Sequence, residues 1–260
     1  MESSRRSFLK LAGISALGLG AKPVFDVMAS SGETAKPEII KGSNALLAKR
    51  WGMVIDTRKL QSEEDLKPIV EACIKTHNIP QFENPRHIIK WIWTEEFEND
   101  FPMQEQEAFL NDRLKHIPFL TLCNHCENPP CVRVCPTKAT FKRQDGIVMM
   151  DYHRCIGCRF CMAACPYGSR SFNFRDPRPF IKEQNPQFPN RTKGVVEKCS
   201  FCQERLAVGE IPACVEASKG AMAFGDLDDP ESEVRKLLRD NYSIRRKPAL
   251  GTGPSVFYIV

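Results

Sequence analysis

The stretch Cys155-Ile156-Gly157-Cys158-Arg159-Phe160-Cys161-Met162-Ala163-Ala164-Cys165-Pro166 decides how the rest of the chain is read. Its cysteines follow one another at intervals of three, three and four residues, and a proline follows the last. Three thiols spaced by three wrap a tight loop around one inorganic body and place three sulfurs on three corners of an iron–sulfur cube. The fourth falls on the next helical turn, points away, and reaches a different cube. The proline ends that turn and redirects the chain.

Working outward, Cys123-x2-Cys126-x4-Cys131-x3-Cys135-Pro136 is the same pattern with two more residues between its second and third cysteines. Pro129 and Pro130 stiffen that longer loop. Such runs are those of bacterial two-cluster ferredoxins, and the two runs are expected to exchange their fourth thiols. One cluster then takes Cys123, Cys126, Cys131 and Cys165. The other takes Cys155, Cys158, Cys161 and Cys135. A third group, Cys199-x2-Cys202-x11-Cys214, supplies only three thiols. Ser218 stands where its fourth cysteine would follow. Of the twelve cysteines only Cys73 then remains.

The 260 residues allow one or two domains with a true core, and 19 prolines argue for a loop-rich chain. Ser4-Arg5-Arg6-Ser7-Phe8-Leu9-Lys10 resembles the twin-arginine export motif, so residues 1–29 read as an export signal. Leu11 to Ala21 is too short and glycine-rich to span a membrane, and Val27-Met28-Ala29 offers a cleavage point. That export route carries folded proteins, which suits a chain whose metal is inserted before export. The expected place is the periplasm, on the extracytoplasmic face of the membrane.

The formal charge of +5 falls to +3 without residues 1–29, which hold four basic and two acidic residues. Three oxidised cubes with their thiolates, at a formal −2 each, bring the mature chain to about −3. The basic sequence is therefore no argument for nucleic acid as a partner.

Residues 30–49 read as a polar leader. Gly52–Asp56 reads as a buried strand. Asp65–His77 reads as a helix with Pro68 in its first turn and Leu66, Ile69, Val70 and Cys73 on one inward face. Arg86–Glu95 alternates weakly, as a strand carrying Trp91 and Trp93. Ala139–Lys142 and Ile147–Asp151 flank Gln144-Asp145-Gly146 as a hairpin. Residues 176–193 read as a loop. Asp229-Pro230 opens a helix with Val234, Leu237 and Leu238 inward, and Ser255–Val260 ends the chain as a strand.

From Trp51 to Val260 the chain resembles the four-cluster ferredoxin-like subunits of membrane oxidoreductases, the partners of dimethyl sulfoxide, polysulfide and nitrite reductases. In that family four runs pair first with fourth and second with third. The resemblance implies that Gly52–Asp56 precedes a first run that here reads Thr57-Arg58-Lys59-Leu60-Gln61-Ser62, without cysteine. It further implies that Cys73 is that run's surviving fourth thiol. The third cluster would then sit on Cys199, Cys202, Cys214 and Cys73, and the fourth site would be vacated.

Cys123-Asn124-His125-Cys126 through Pro136, Gly146 through Cys155, Glu197-Lys198-Cys199 and the tail from Gly251 resemble more narrowly the DsrO-type periplasmic subunits of Dsr complexes linked to sulfite reduction. Their resemblance implies an integral quinone-reactive membrane subunit, a multihaem cytochrome c and other Dsr subunits as partners.

The expected fold is α+β, two tandem ferredoxin-like modules with pseudo-two-fold symmetry. One spans 115–175 with two clusters. The other joins 50–80 to 194–225 with one, and 226–260 adds a helix and strand. The expected function is electron transfer through three [4Fe–4S] clusters without catalysis, since no nucleophile–base pair, phosphate loop or nucleotide fingerprint is present.

The alternatives are an iron–sulfur subunit of a molybdenum oxidoreductase and a structural zinc or disulfide module. If Cys73 is only a buried core thiol, zinc or a three-iron cluster suits the last group. His125 and His153 read as ligands, relays, or residues that hydrogen-bond a cluster sulfur. Lys198 and Arg159 either raise a potential through their charge or are solvated. Trp91 and Trp93 read as core or as partner contacts.

Overall fold

Strand β1 (Trp51–Asp56) carries a run of apolar residues that alternation alone would not produce, and every one of its residues is buried. It lies inside a sheet rather than at an edge. In the computed structural model, which describes residues 44–104 and 109–260, the export signal of residues 1–29 and most of the 30–49 leader lie outside the described residues.

Helix α1 (Glu63–Thr76) starts two residues earlier than the sequence suggested. Ser62 caps it and Asp65 closes a capping box. Pro68 therefore stands in the second turn. Leu66, Ile69 and Cys73 are buried on its inner face. The expected strand over 86–95 shortens to β2 (Ile92–Glu95), because Pro85–His87 forms a 3-10 turn. Short helices α2 (Phe97–Asp100) and α3 (Asp112–His116) lead into β3 (Phe119–Leu122), which pairs antiparallel with β2.

The central segment then runs through α4 (Pro130–Arg133), β4 (Thr140–Lys142), β5 (Val148–Met150), α5 (Phe160–Ala164) and β6 (Ser171–Phe172). β4 and β5 form the expected hairpin, turned at Gly146 with φ +85°. β7 (Val196–Glu197) pairs with β6, followed by α6 (Gln203–Leu206), α7 (Ala213–Ala217), β8 (Met222–Asp226), α8 (Glu233–Asp240), β9 (Ser243–Ile244) and β10 (Val256–Ile259).

The largest sheet has the order β8-β1-β10-β9. β1 runs parallel to β10, with Met53 opposite Val256, and antiparallel to β8. The last strand thus pins the first, and Thr57 Oγ1 donates to Ile259 O at 2.8 Å to close the join. Gly52 is required here, since a Cβ would stand 2.5 Å from the Leu227 side chain. Met53, Val54 and Ile55 are wholly buried, each stabilising the sheet by about 2 kcal/mol.

α8 covers one face of the sheet through Val234, with Leu237 and Leu238 half-buried beside it. The other face joins the main core of Trp91, Phe97, Phe101, Phe119 and Tyr258. The architecture is mixed α and β with small sheets. Its cysteine loops lie between those sheets rather than within them.

Candidate metal centres

The three cysteine groups share one backbone device. In the first Cys-x-x-Cys of each group the residue before the second cysteine is left-handed: His125 at φ +40°, Gly157 at +70° and Phe201 at +56°. A left-handed residue curls the loop so that both sulfurs face the same side. Each third cysteine is then the second residue of a short helix, Cys131 in α4, Cys161 in α5 and Cys214 in α7.

The fourth position follows with the same bond in all three. Cys135 N donates to Val132 O, Cys165 N to Met162 O, and Ser218 N to Val215 O, at 3.3, 3.3 and 3.1 Å. Ser218 thus occupies the backbone place of a fourth cysteine.

The structure gathers Cys123, Cys126, Cys131 and Cys165 on one cavity, closed by Pro129, Pro130, Tyr167 and Arg170. A second cavity is lined by Cys135, Cys155, Cys158 and Cys161, with Thr137, Ile156 and Gly157. The first lies deeper: Cys123, Cys126 and Cys131 are buried, whereas Cys158 is exposed. Burial, followed by repulsion from Cys123, pushes the Cys126 thiol up to about 12. At Cys135 burial works upward but is outweighed by donors that hold the thiol below its usual value. Among them Thr140 N–H reaches Cys135 Sγ at 3.5 Å.

Cys73, Cys199, Cys202 and Cys214 are all buried. Burial first, and then the nearby Cys202, Cys199 and Cys214, pushes the Cys73 thiol well above its ordinary value. One helical turn beyond Cys73 stands His77, a residue that spacing could have flagged. Its Nδ1 is 3.5 Å from Cys73 Sγ, and its Nε2 is 2.8 Å from Glu204 Oε1. The donor atoms of His77, Cys202 and Glu204 all lie within 4.8 Å of one another.

The segment Thr57–Ser62 is closed by its own polar bonds. Asp56 takes Arg58 in a two-point contact at 2.8 Å, Gln61 Nε2 donates to Arg58 O at 2.8 Å, and Lys59 Nζ donates to Gly220 O at 2.9 Å. Ser218 Oγ donates to Val215 O at 2.7 Å and accepts from Met222 N at 3.0 Å.

The other singled-out residues separate cleanly. His125 is buried, stacks on Phe201 at 3.7 Å, and accepts from Val148 N at 3.1 Å through Nδ1. Burial, then the charge of Lys198, holds its imidazole well below the usual value, so it is neutral. His153 is exposed. Trp91 is core and donates to Glu197 at 2.9 Å. Arg159 is exposed, its guanidinium lying over Phe172 and Phe174. Lys198 is buried rather than solvated. Arg170, which carries no motif, lines the first cavity without any sequence signal to mark it.

All twelve thiols are free. Burial by itself would keep most of these thiols neutral, and four of them converging on one cavity suit a cofactor whose positive charge holds them as thiolates. Iron in a cube supplies that charge, so the donor chemistry fits iron–sulfur clusters.

Comparison with known proteins agrees with this chemistry. Residues 115–177 match the family described as 4Fe-4S dicluster domain. The chain is 46% identical to the Hdr-like menaquinol oxidoreductase iron-sulfur subunit 1 of Archaeoglobus fulgidus, over 98% of this chain and 97% of that protein. It is 35% identical to the menaquinone reductase iron-sulfur cluster-binding subunit of Nitratidesulfovibrio vulgaris, over 81% and 88%. It is 40% identical to the arsenate respiratory reductase iron-sulfur subunit ArrB of a Shewanella species, over 58% and 78%. The chain belongs to the [4Fe–4S] subunits of membrane oxidoreductase complexes, which carry electrons for a catalytic partner and are not themselves the catalyst.

Proposed function

We propose that the chain holds three [4Fe–4S] clusters and relays electrons between a multihaem cytochrome c and an integral quinone-reactive subunit in a Dsr-type complex. The first site is Cys123, Cys126, Cys131 and Cys165. The second is Cys155, Cys158, Cys161 and Cys135. The third is Cys199, Cys202, Cys214 and Cys73. The observation that carries this reading is the placement of the thiols: two cavities with four each, and four more mutually close, with none left over.

The recurrent backbone of the three groups supports a tandem arrangement, with 115–175 as one ferredoxin-like module and 50–80 with 194–225 as the other. The N-terminal twin-arginine motif supports folded export and a place on the periplasmic face. Among the described residues no helix is long and apolar enough to cross a membrane. The 46% identity to a menaquinol oxidoreductase subunit, against 33% to a tetrathionate reductase subunit over a comparable share of the chain, favours the quinone-linked reading over a molybdenum reductase.

Bound iron and sulfide supply reversible one-electron chemistry. The protein supplies burial for the first and third sites, N–H donors such as Thr140 to Cys135, and an exposed edge at Cys158 where a partner can approach.

The test is iron and acid-labile sulfide per chain. Three cubes give about twelve of each. A value near eight, with one zinc, would select a second reading of the third site, which the nearness of His77 and Glu204 to Cys202 favours. Partners are tested by purifying the intact complex. A haem subunit and a quinone-reactive subunit are expected, and a molybdenum subunit in their place would overturn the Dsr assignment.

A further inference from the structure

Four cationic side chains are buried among the described residues: Arg170 at 5% exposure, Arg191 at 2%, Lys198 at 2% and Arg246 at 3%. A buried charge is tolerated when an opposite charge meets it. Arg191 meets Glu197 at 2.8 Å and Arg246 meets Asp100 at 2.7 Å. Arg170 and Lys198 form no salt bridge within the described residues. Arg170 Nη1 reaches the neutral Thr140 hydroxyl at 3.2 Å and the Met150 sulfur at 3.8 Å, and its Nη2 has no hydrogen-bond partner on a carboxylate or carbonyl. Lys198 Nζ donates to two backbone carbonyls, Val148 O and Cys199 O.

What surrounds these two cations is cysteine. Arg170 lines the first cavity. Burial pulls its guanidinium down, yet Cys131, Cys161 and Cys123 outweigh that and hold it above its usual value. Cys161 belongs to the second cavity and Cys131 to the first, so the guanidinium stands where those two sites adjoin. Lys198 stands at the other join. Its ammonium bridges Cys199, of the third group, to Val148, which lines the first cavity. Cys199 in turn lies close enough to Cys123 for burial and that thiol together to raise its pKa. The neighbouring Glu197 does not neutralise Lys198, because the two form no salt bridge and Glu197 is engaged by Arg191, Trp91 and Asn173.

We propose that Arg170 and Lys198 are fixed positive charges at the two inter-cluster joins, each setting the reduction potentials of the two sites it separates. The inference rests on the three-cluster reading above. Reduction adds one electron, and therefore one negative charge, to a site that is already anionic. A buried cation beside that site stabilises the reduced form more than the oxidised form and raises the potential. The first site, between the two joins, feels both cations.

The experiment is a redox titration of the full-length, cluster-loaded chain followed by electron paramagnetic resonance, with iron counted in every sample. Wild type containing fewer than about twelve irons defeats the three-cluster reading itself. With twelve irons present, Arg170→Met lowers the potentials of the first and second sites and leaves the third alone. Lys198→Met lowers the first and third and leaves the second alone. The expected shift is at least tenfold in the one-electron equilibrium constant, or about 59 mV.

Arg170→Lys and Lys198→Arg keep the charge and retain near-wild-type potentials. Fully loaded methionine variants with unchanged potentials overturn the inference. If a methionine variant loses iron, the charge-keeping variant decides. Full loading with native potentials supports a role for charge, and equal loss of iron assigns the residue a role in shape alone and overturns the inference.

Discussion

The central region and the outer region use one backbone for two outcomes. After Cys131 and Cys161 the chain makes a short helix, closes it with an N–H to the residue three back, and presents Cys135 and Cys165. After Cys214 it makes the same helix and the same bond, and presents Ser218. The Ser218 hydroxyl is turned onto Val215 O and Met222 N instead of toward a metal. Opposite it, Thr57–Ser62 directs its polar groups onto itself, onto Asp56 and the cap of α1, and through Lys59 onto Gly220 O. Under the three-cluster proposal, the fourth site is closed here by exchanging side chains while the backbone stays in place, and the thiols decide which loops are loaded.

The strongest way to break the comparison is to remove thiols from the outer site. Cys73→Ala and Cys199→Ala come from segments far apart in sequence, yet each is expected to take iron from about twelve to about eight per chain and to abolish the same resonance signal. Cys165→Ala, in the central region, is expected to abolish a different one. Iron analysis with spectroscopy of the three variants checks this. Loss of two different signals from Cys73→Ala and Cys199→Ala would remove Cys73 from the third site.

A smaller effect is expected from Arg191→Met. Arg191 binds Glu197 by a buried ion pair and reaches His77 O and Asn78 O, tying the end of α1 to β7. Breaking a buried pair from one side leaves Glu197 uncompensated and costs about 3–5 kcal/mol. Denaturant unfolding of the loaded protein should report that loss, and the third site should release iron before the central two. Simultaneous release from all three sites would mean that the two regions are not separately stabilised.

How much of this the sequence carried follows the same division. The runs at 123–135 and 155–165 are local, so their spacing alone proposes a grouping of eight cysteines; Cys123, Cys126, Cys131 and Cys165 line one cavity, and Cys135, Cys155, Cys158 and Cys161 line another. β1, the hairpin at Gly146 and β10 were legible because burial and turn chemistry are local as well, and so was the inward face of α8, although that helix opens at Glu233 behind its Ser232 cap and not at Asp229-Pro230.

What could not be read were partners set by the fold. The strand expected over 86–95 was cut short by the turn at Pro85, and α1 began at its cap instead of at its apolar face. The parallel pairing of β1 with the chain's last strand joins positions about two hundred residues apart, and no local pattern announces it. Arg170 looked like any basic residue, and Lys198 was open to a solvated reading. Only their burial without carboxylates marks them out.

The least effect is expected where the comparison is sharpest. Ser218→Cys restores the missing thiol on a backbone already shaped for it. It also removes the hydroxyl that donates to Val215 O and accepts from Met222 N, which costs about 1 kcal/mol. Iron should nevertheless stay at about twelve, because a cube needs four corners held and Thr57, Arg58, Lys59, Leu60, Gln61 and Ser62 offer no thiolate. A rise toward sixteen irons in the single variant would mean that one cysteine completes a site whose other donors are not sulfur. The outer loop would then be a functional half-site rather than a closed one. An unchanged iron count with a small fall in stability leaves the opposite picture: Arg58 on Asp56, Lys59 on Gly220 O and Gln61 on Arg58 O have replaced the metal with hydrogen bonds, and reopening the site requires changes on both sides.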